Sequence, residues 1–238
     1  MNLKSTPVQN ETIMLDWSKI DTVFLDMDGT LLDLHFDNHF WLEHLPKRYA
    51  EEKQVSAATA ELMVSQHCRD IAGSLDWYCL DYWQNHLELD LVTLKREIAD
   101  RIAVREHVED FLGFLQQQDK QIVLLTNAHQ KSVDLKFEHV HIESFFDEII
   151  TSHALGLAKE HPEFWPRLNE IKKIDKQRSL FIDDNLQVLA NARAYGLVNL
   201  LAIYLPDSRG EPKDTGEFTA IKSYQQLMPA GYPEKHPG

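Results

Sequence analysis

A chain of 238 residues is long enough for one large domain, or two smaller ones, around a sizeable core. Its 38 Asp and Glu against 24 Lys and Arg give a formal charge of −14, which argues against binding nucleic-acid polymers or anionic membranes, since both require basic surfaces. A small anionic substrate stays open, because one metal ion and one lysine reverse a local field.

Met1 to Glu11 is polar, contains Pro7 and has no apolar core of a secretory signal, so it reads as a mobile leader. No stretch approaches the ~18 consecutive apolar residues of a membrane span. The only cysteines, Cys68 and Cys79, have no metal-like spacing, and the simple reading is a reduced protein of the cytoplasm. The first strong element is Val23-Phe24-Leu25, which runs straight into Asp26-Met27-Asp28-Gly29-Thr30. A short apolar run closed by glycine predicts a buried parallel strand ending in a loop. Ligands of open α/β sheets sit beyond the carboxyl ends of the strands, so Asp26 and Asp28 stand where chemistry takes place. Alternation along an extended chain places both on the same side, where two like charges are costly without a cation or a reacting group.

From Leu34 to Val104 the pattern is helical throughout. Phe40, Trp41, His44 and Leu45 share a face before Pro46, and amphipathic runs follow over Thr59–Ile71, Leu75–Leu87 and Leu91–Ile102. A helix with Val108, Phe111, Leu112 and Leu115 then leads to a strand over Gln121–Leu125, which ends in Thr126-Asn127-Ala128-His129. That one helix satisfies the crossover between parallel strands. Residues 34–104 are therefore an insertion at the active end of the first strand, a helical cap over a core made of 1–33 and 105–238. The predicted elements continue with a helix over Gln130–Glu138, a strand over Glu148–Thr151, a helix over Pro162–Ile171 and a strand over Arg178–Ile182. A further helix follows, capped by Gly196, and then a strand over Leu200–Tyr204. Pro206 to Gly216 reads as a surface loop, and a mobile tail is expected beyond Met228. The alternation predicts an α/β fold with a doubly wound parallel sheet.

Carboxylates close two strands, Asp26 and Asp28 on one and Asp183 and Asp184 on another. An all-oxygen, acidic cluster suits Mg²⁺. Thr126 and Asn127 offer a hydroxyl and an amide, and Lys159 a cation, which is the set a phosphoryl group needs. His139 and His141 form a lone His-x-His pair that reads better as surface histidines than as a zinc site.

Asp26-Met27-Asp28-Gly29-Thr30, Leu124-Leu125-Thr126-Asn127, Lys159 and Phe181-Ile182-Asp183-Asp184 resemble the four ordered motifs of the haloacid dehalogenase superfamily. The inserted helices resemble that superfamily's first type of cap. Leu34–Trp41 and Leu75–Trp83 resemble purine 5′-nucleotidases of the superfamily, which act on GMP and IMP. The resemblance implies a Mg²⁺-dependent phosphomonoesterase. In it Asp26 is the nucleophile that forms an aspartyl-phosphate, and Asp28 is the general acid and base, its carbonyl also touching the metal. Thr126 and Asn127 bind the phosphate, Lys159 holds it and screens Asp26 from it, and Asp183 and Asp184 hold Mg²⁺ directly or through water, Asp184 being the better candidate for direct contact. A sugar-phosphate or phosphoglycolate phosphatase or mutase on the same chassis is the rival, and a non-catalytic phosphate-binding protein a remote one. The departures from the family pattern are Glu160, where relatives carry proline, and Val188, where they carry glycine.

Substrate choice falls to the cap. On one continuous helix over Leu75–Leu87, Leu80, Trp83 and Leu87 form an apolar face. Tyr78, Asp81, Tyr82 and Asn85 form the other face, so Tyr78 and Tyr82 either stack on a base or pack between cap helices. His35, Asp37 and Asn38 are further candidates near the site.

Overall fold

The computed structural model describes residue 13 and residues 15–233; the leader expected over Met1–Glu11 lies outside them. Strand β1 (Thr22–Leu25) is followed by α1 (His35–His39), a π-helical turn (Phe40–His44), α2 (Leu45–Lys53) and α3 (Ala57–Ile71). Next come α4 (Leu75–Tyr78), α5 (Leu80–Leu87), α6 (Leu91–Arg96) and α7 (Val108–Gln117). The rest alternates: β2 (Gln121–Thr126), α8 (Gln130–Phe137), β3 (Glu148–Thr151), α9 (Ser152–Leu155), α10 (Phe164–Ile171), β4 (Ser179–Asp183), α11 (Leu186–Tyr195), β5 (Asn199–Ile203) and β6 (Ala220–Ile221).

The six strands form one parallel sheet in the order β3-β2-β1-β4-β5-β6. Register aligns Leu25 with Leu124 on one side and Ile182 on the other. Side chains alternate strictly across the sheet. Val23, Leu25, Leu124 and Ile182 join one buried cluster with α7, while Phe24, Val123, Leu125 and Phe181 join another with α10 and α11. Both faces are therefore covered, which is why these strands read as continuous apolar runs. Trp165 anchors the second face, fully buried with its ring edge-on to Phe24 and Phe181. Full burial of one such side chain is worth about 1.5–3 kcal/mol.

Gly196 ends α11 at φ +110°, where its N–H reaches the carbonyls of Ala192 and Arg193, as a C-cap glycine does. The two-residue strand β6 carries no sequence pattern and was not anticipated. The tail beyond Met228 is docked where it is described: Tyr232 packs edge-on against Phe114, with ring centroids 5.4 Å apart.

Only helical and turn structure lies between Leu34 and Val104, around its own cluster built on Phe36, Phe40, Trp83, Leu87 and Leu94 and joined by Leu135 of α8. Pro46 has no N–H to offer, and the turn before it widens to a π-helix in which the Leu45 amide bonds Phe40. The helix expected over Leu75–Leu87 is broken. Cys79 adopts an extended conformation (φ −85°, ψ 107°), Ser74 caps α4 and the Cys79 sulfur caps α5. Leu80, Trp83 and Leu87 are buried as the periodicity indicates, but Tyr78 belongs to the other piece.

Candidate active site

The strand order reverses between β1 and β4, so a crevice opens beyond their carboxyl ends. Asp26 leaves β1 into this crevice, and Asp183 and Asp184 leave β4. Lys159, on the loop between α9 and α10, lies between Asp26 and Asp183. Its Nζ donates to Asp26 Oδ1 at 2.6 Å, Asp183 Oδ2 at 2.6 Å and the Leu125 carbonyl at 3.1 Å. The lysine loop is held from two sides. Asn127 Oδ1 accepts the Lys159 amide at 2.9 Å, and Asn191 of α11 donates to the Lys159 and His161 carbonyls at 2.7 and 2.8 Å. Thr126 is buried and accepts the Ala128 amide at 3.0 Å, which orients its hydroxyl beside the strand end.

Asp26 and Asp28 part company. A turn follows β1, with Gly29 at φ +79°, so strand alternation stops at Leu25. A side chain at Gly29 would also bring its Cβ within 2.9 Å of Asp184 Cγ. Asp26 faces Lys159, whereas Asp28 Oδ1 accepts from Lys136 Nζ of α8 at 2.5 Å. Lys136 also reaches Asp37 Oδ2 at 2.7 Å, and Lys95 of α6 reaches Asp37 Oδ1 at 2.7 Å. Two lysines and two aspartates thus link the helical segment to the strand end. The lysine pair was not anticipated from sequence. Ser132, Val133, Leu135 and Lys136 are the buried residues of α8, and the i, i+3 spacing from Val133 is the signal that could have found Lys136.

Among the described residues, one oxygen each from Asp26, Asp183 and Asp184 lie within 4.8 Å of one another. The buried ammonium of Lys159 pairs with two of them, Asp26 and Asp183, while Lys213 approaches Asp184 from the edge at 3.7 Å. Burial drives Asp26 up to about 7 against the pull of Lys159, with Asp183 and Asp28 adding to the rise. Burial likewise lifts Asp183 to about 6 and Asp184 to about 7, the latter helped by Asp26. The cluster is short of positive charge, and its donors are all oxygens. That fits a hard divalent cation of the magnesium class.

Glu160 proves central. Its carboxylate accepts from Tyr78 OH at 2.5 Å, Asn127 Nδ2 at 2.9 Å and Asn185 Nδ2 at 3.1 Å. A proline there would lose all three bonds, so this departure from the family pattern ties the helical segment to two motif loops. Val188 is fully buried against the sheet. A cavity of about 640 Å³ runs from Asp28 between Trp41, Trp77, Tyr78, Glu61 and Ser65. Tyr82 does not line it. Its ring stacks on His67 (centroids 5.6 Å apart) and its hydroxyl meets His67 Nε2 at 3.0 Å, because the break at Cys79 separates it from Tyr78. Asp37 and Asn38 line the cavity; Asn38 also donates to Asp207 at 2.7 Å, and His35 lies 3.6 Å from the same carboxylate.

A doubly wound α/β sheet with buried carboxylates and one lysine at its switch point defines a class of hydrolytic enzyme. The chain belongs to the haloacid dehalogenase-like hydrolase family, whose model matches residues 20–196. It is 36% identical over 218 residues to the GMP/IMP nucleotidase YrfG of Escherichia coli (strain K12), covering 92% of this chain and 98% of that one. It is 22% identical over 189 residues to haloacetate dehalogenase H-2 of Moraxella sp. (strain B), covering 75% and 83%. In fold it is similar to the crystal structure of a HAD phosphatase from Thermococcus onnurineus (TM-score 0.71, 16% identity, covering 87% and 95% of the two chains). No helix among the described residues is long and apolar enough to cross a membrane.

Proposed function

We propose that this chain is a Mg²⁺-dependent phosphomonoesterase of the cytoplasm that hydrolyses purine nucleoside 5′-monophosphates, GMP and IMP foremost. The observation that carries the reading is Lys159 bridging Asp26 and Asp183 in a crevice whose neighbouring cavity is walled by aromatic rings. In this reading residues 34–104 form the cap, and 1–33 with 105–238 form the core. Lys159 occupies Asp26 Oδ1 and leaves Oδ2 to attack phosphorus. A carboxylate needs no activating base for that step. The P–O bond to the nucleoside breaks as the new one forms, giving an aspartyl-phosphate on Asp26; Asp28, whose carboxyl burial pushes above its usual range against the pull of Lys136, gives its proton to the departing 5′ oxygen. Asp28 then takes a proton from the water that splits the acyl phosphate, which frees Asp26 and releases phosphate.

Thr126 and Asn127 hold phosphate oxygens, and Lys159 keeps the nucleophile and the phosphate from repelling each other. Asp26, Asp183, Asp184 and the Asp28 carbonyl would hold Mg²⁺, which when bound supplies charge neutralisation for the phosphoryl oxygens. Trp41, Trp77 and Tyr78 would stack on the base, and Glu61 and Ser65 offer an acceptor and a donor for its edge. The relative's name and the cavity's aromatic walls support the purine reading over the sugar-phosphate one.

A panel of nucleoside and sugar monophosphates tests this. With Mg²⁺, GMP and IMP should show at least tenfold higher kcat/KM than AMP, glucose 6-phosphate or phosphoglycolate, and chelation should abolish release. A sugar phosphate or phosphoglycolate at the top of the panel would overturn the nucleotide assignment.

A further inference from the structure

Three side chains that the phosphate chemistry leaves unused meet where the helical segment touches the sheet. Cys79 sits in the extended joint between α4 and α5, His129 caps α8 just after β2, and His153 lies in α9 just after β3. One ligating atom from each, a sulfur and two ring nitrogens, all lie within 4.8 Å of one another. The two imidazoles meet edge to face, with centroids 4.8 Å apart. Both ring nitrogens of His153 are buried and have no hydrogen-bond partner. Leaving a buried polar group unsatisfied costs about 1–3 kcal/mol, so a ring in that state marks a missing partner. His129 is held only loosely, with Nδ1 accepting the Lys131 amide at 3.4 Å and Nε2 3.8 Å from Asp81. Cys79 is a free thiol whose sulfur accepts the Tyr82 amide at 3.4 Å.

We propose that Cys79, His129 and His153 form a zinc-class metal site that fastens the helical segment to the sheet, separate from the carboxylate cluster. One sulfur and two imidazole nitrogens are borderline-soft donors, which select Zn²⁺ over Mg²⁺, so the two sites divide the ions by chemistry. Bond lengths of about 2.3 Å to sulfur and 2.0 Å to nitrogen set tetrahedral ligand atoms about 3.3–3.5 Å apart, inside the 4.8 Å that bounds the three atoms here. The fourth position falls to water or to the Asp81 carboxylate beside His129. On binding, the Cys79 thiol gives its proton to solvent and each ring ligates through an unprotonated nitrogen; nothing is oxidised or reduced. The site adjoins the substrate cavity. Cys79 directly follows Tyr78, and both Tyr78 and His129 line the cavity wall. Sequence spacing could not reveal it, because the ligands come from three separate parts of the chain, the joint before α5, the cap of α8 and helix α9.

Cobalt titration of the full-length protein, freed of metal by chelator, tests the proposal. One equivalent of Co²⁺ should give a thiolate-to-cobalt charge-transfer band and the strong visible bands of four-coordinate cobalt, and Zn²⁺ should erase both. Cys79→Ser keeps an oxygen to cap α5, so the fold should survive while the charge-transfer band disappears and Zn²⁺ binds at least tenfold more weakly. His153→Asn should also weaken Zn²⁺ at least tenfold, whereas Asp184→Asn, in the other cluster, should leave the band intact. A spectrum without the thiolate band overturns the site. So does a band that persists in Cys79→Ser, or zinc binding that is lost in Asp184→Asn instead. Should His153→Asn fail to fold, the cysteine variant decides alone.

Discussion

Asp26→Asn should lower turnover of the best substrate by at least about 10⁴-fold, the scale on which loss of a nucleophile is felt. The fold should not suffer. The variant removes one of the two carboxylates that pair with Lys159, and Lys159 keeps its 2.6 Å contact with Asp183. Burial holds Asp26 up to about 7, so the native carboxylate is itself strained by its surroundings when no divalent ion is bound. The asparagine chain should therefore melt no lower than the parent without Mg²⁺, and gain less on adding it. Paired measurements of kcat and of Tm with and without Mg²⁺ check both halves. Activity within tenfold of the parent would mean that Asp26 is not the attacking group.

Lys136→Met should be the most damaging change outside the carboxylate crevice. Its ammonium is almost fully enclosed and neutralises Asp28 and Asp37 together. Burial opposes charge on Asp37, but Lys136 and Lys95 outweigh it and hold that carboxyl far below its usual range. Losing one partner of a buried ion pair costs about 3–5 kcal/mol, because the other charge stays behind. At about 2–4 °C per kcal/mol for a chain of this size, Tm should fall by roughly 10 °C. Asp28 also loses its anchor, and kcat should drop about 10–100-fold with a smaller change in KM, as expected for a displaced proton donor. Asp37→Asn added to Lys136→Met should recover part of the lost stability, a coupling of about 0.5–3 kcal/mol. Additive losses would show that the two residues do not act as a pair.

The doubly wound core was legible because each strand is buried on both faces. Val23–Leu25, Gln121–Leu125 and Leu180–Ile182 are apolar at every position but Gln121, which lies at the exposed start of β2, and a run of that kind has few alternatives to a central parallel strand. The ends of those strands told where the carboxylates would gather. What stayed hidden depended on distant partners. Cys79 breaks a helix whose apolar spacing runs on unbroken through Leu80, Trp83 and Leu87, so periodicity alone joined α4 to α5 and put Tyr78 and Tyr82 on one face. Glu160 looked like a deviation in a loop, and its value comes from Tyr78, Asn127 and Asn185, which arrive from three other parts of the chain. Lys136 reads as one more surface lysine until the helical segment folds over α8 and encloses it.

The central claim is that Asp26 accepts a phosphoryl group in a crevice built from Asp183, Asp184 and Lys159. Rapid acid quenching of a single turnover tests it most directly, using the fastest substrate of the panel labelled on its phosphate. The prediction is a hydroxylamine-labile label, formed only with Mg²⁺, on the peptide that contains Asp26, and none in Asp26→Asn. Full release of labelled phosphate in that turnover with no label on the protein at any time point would contradict it.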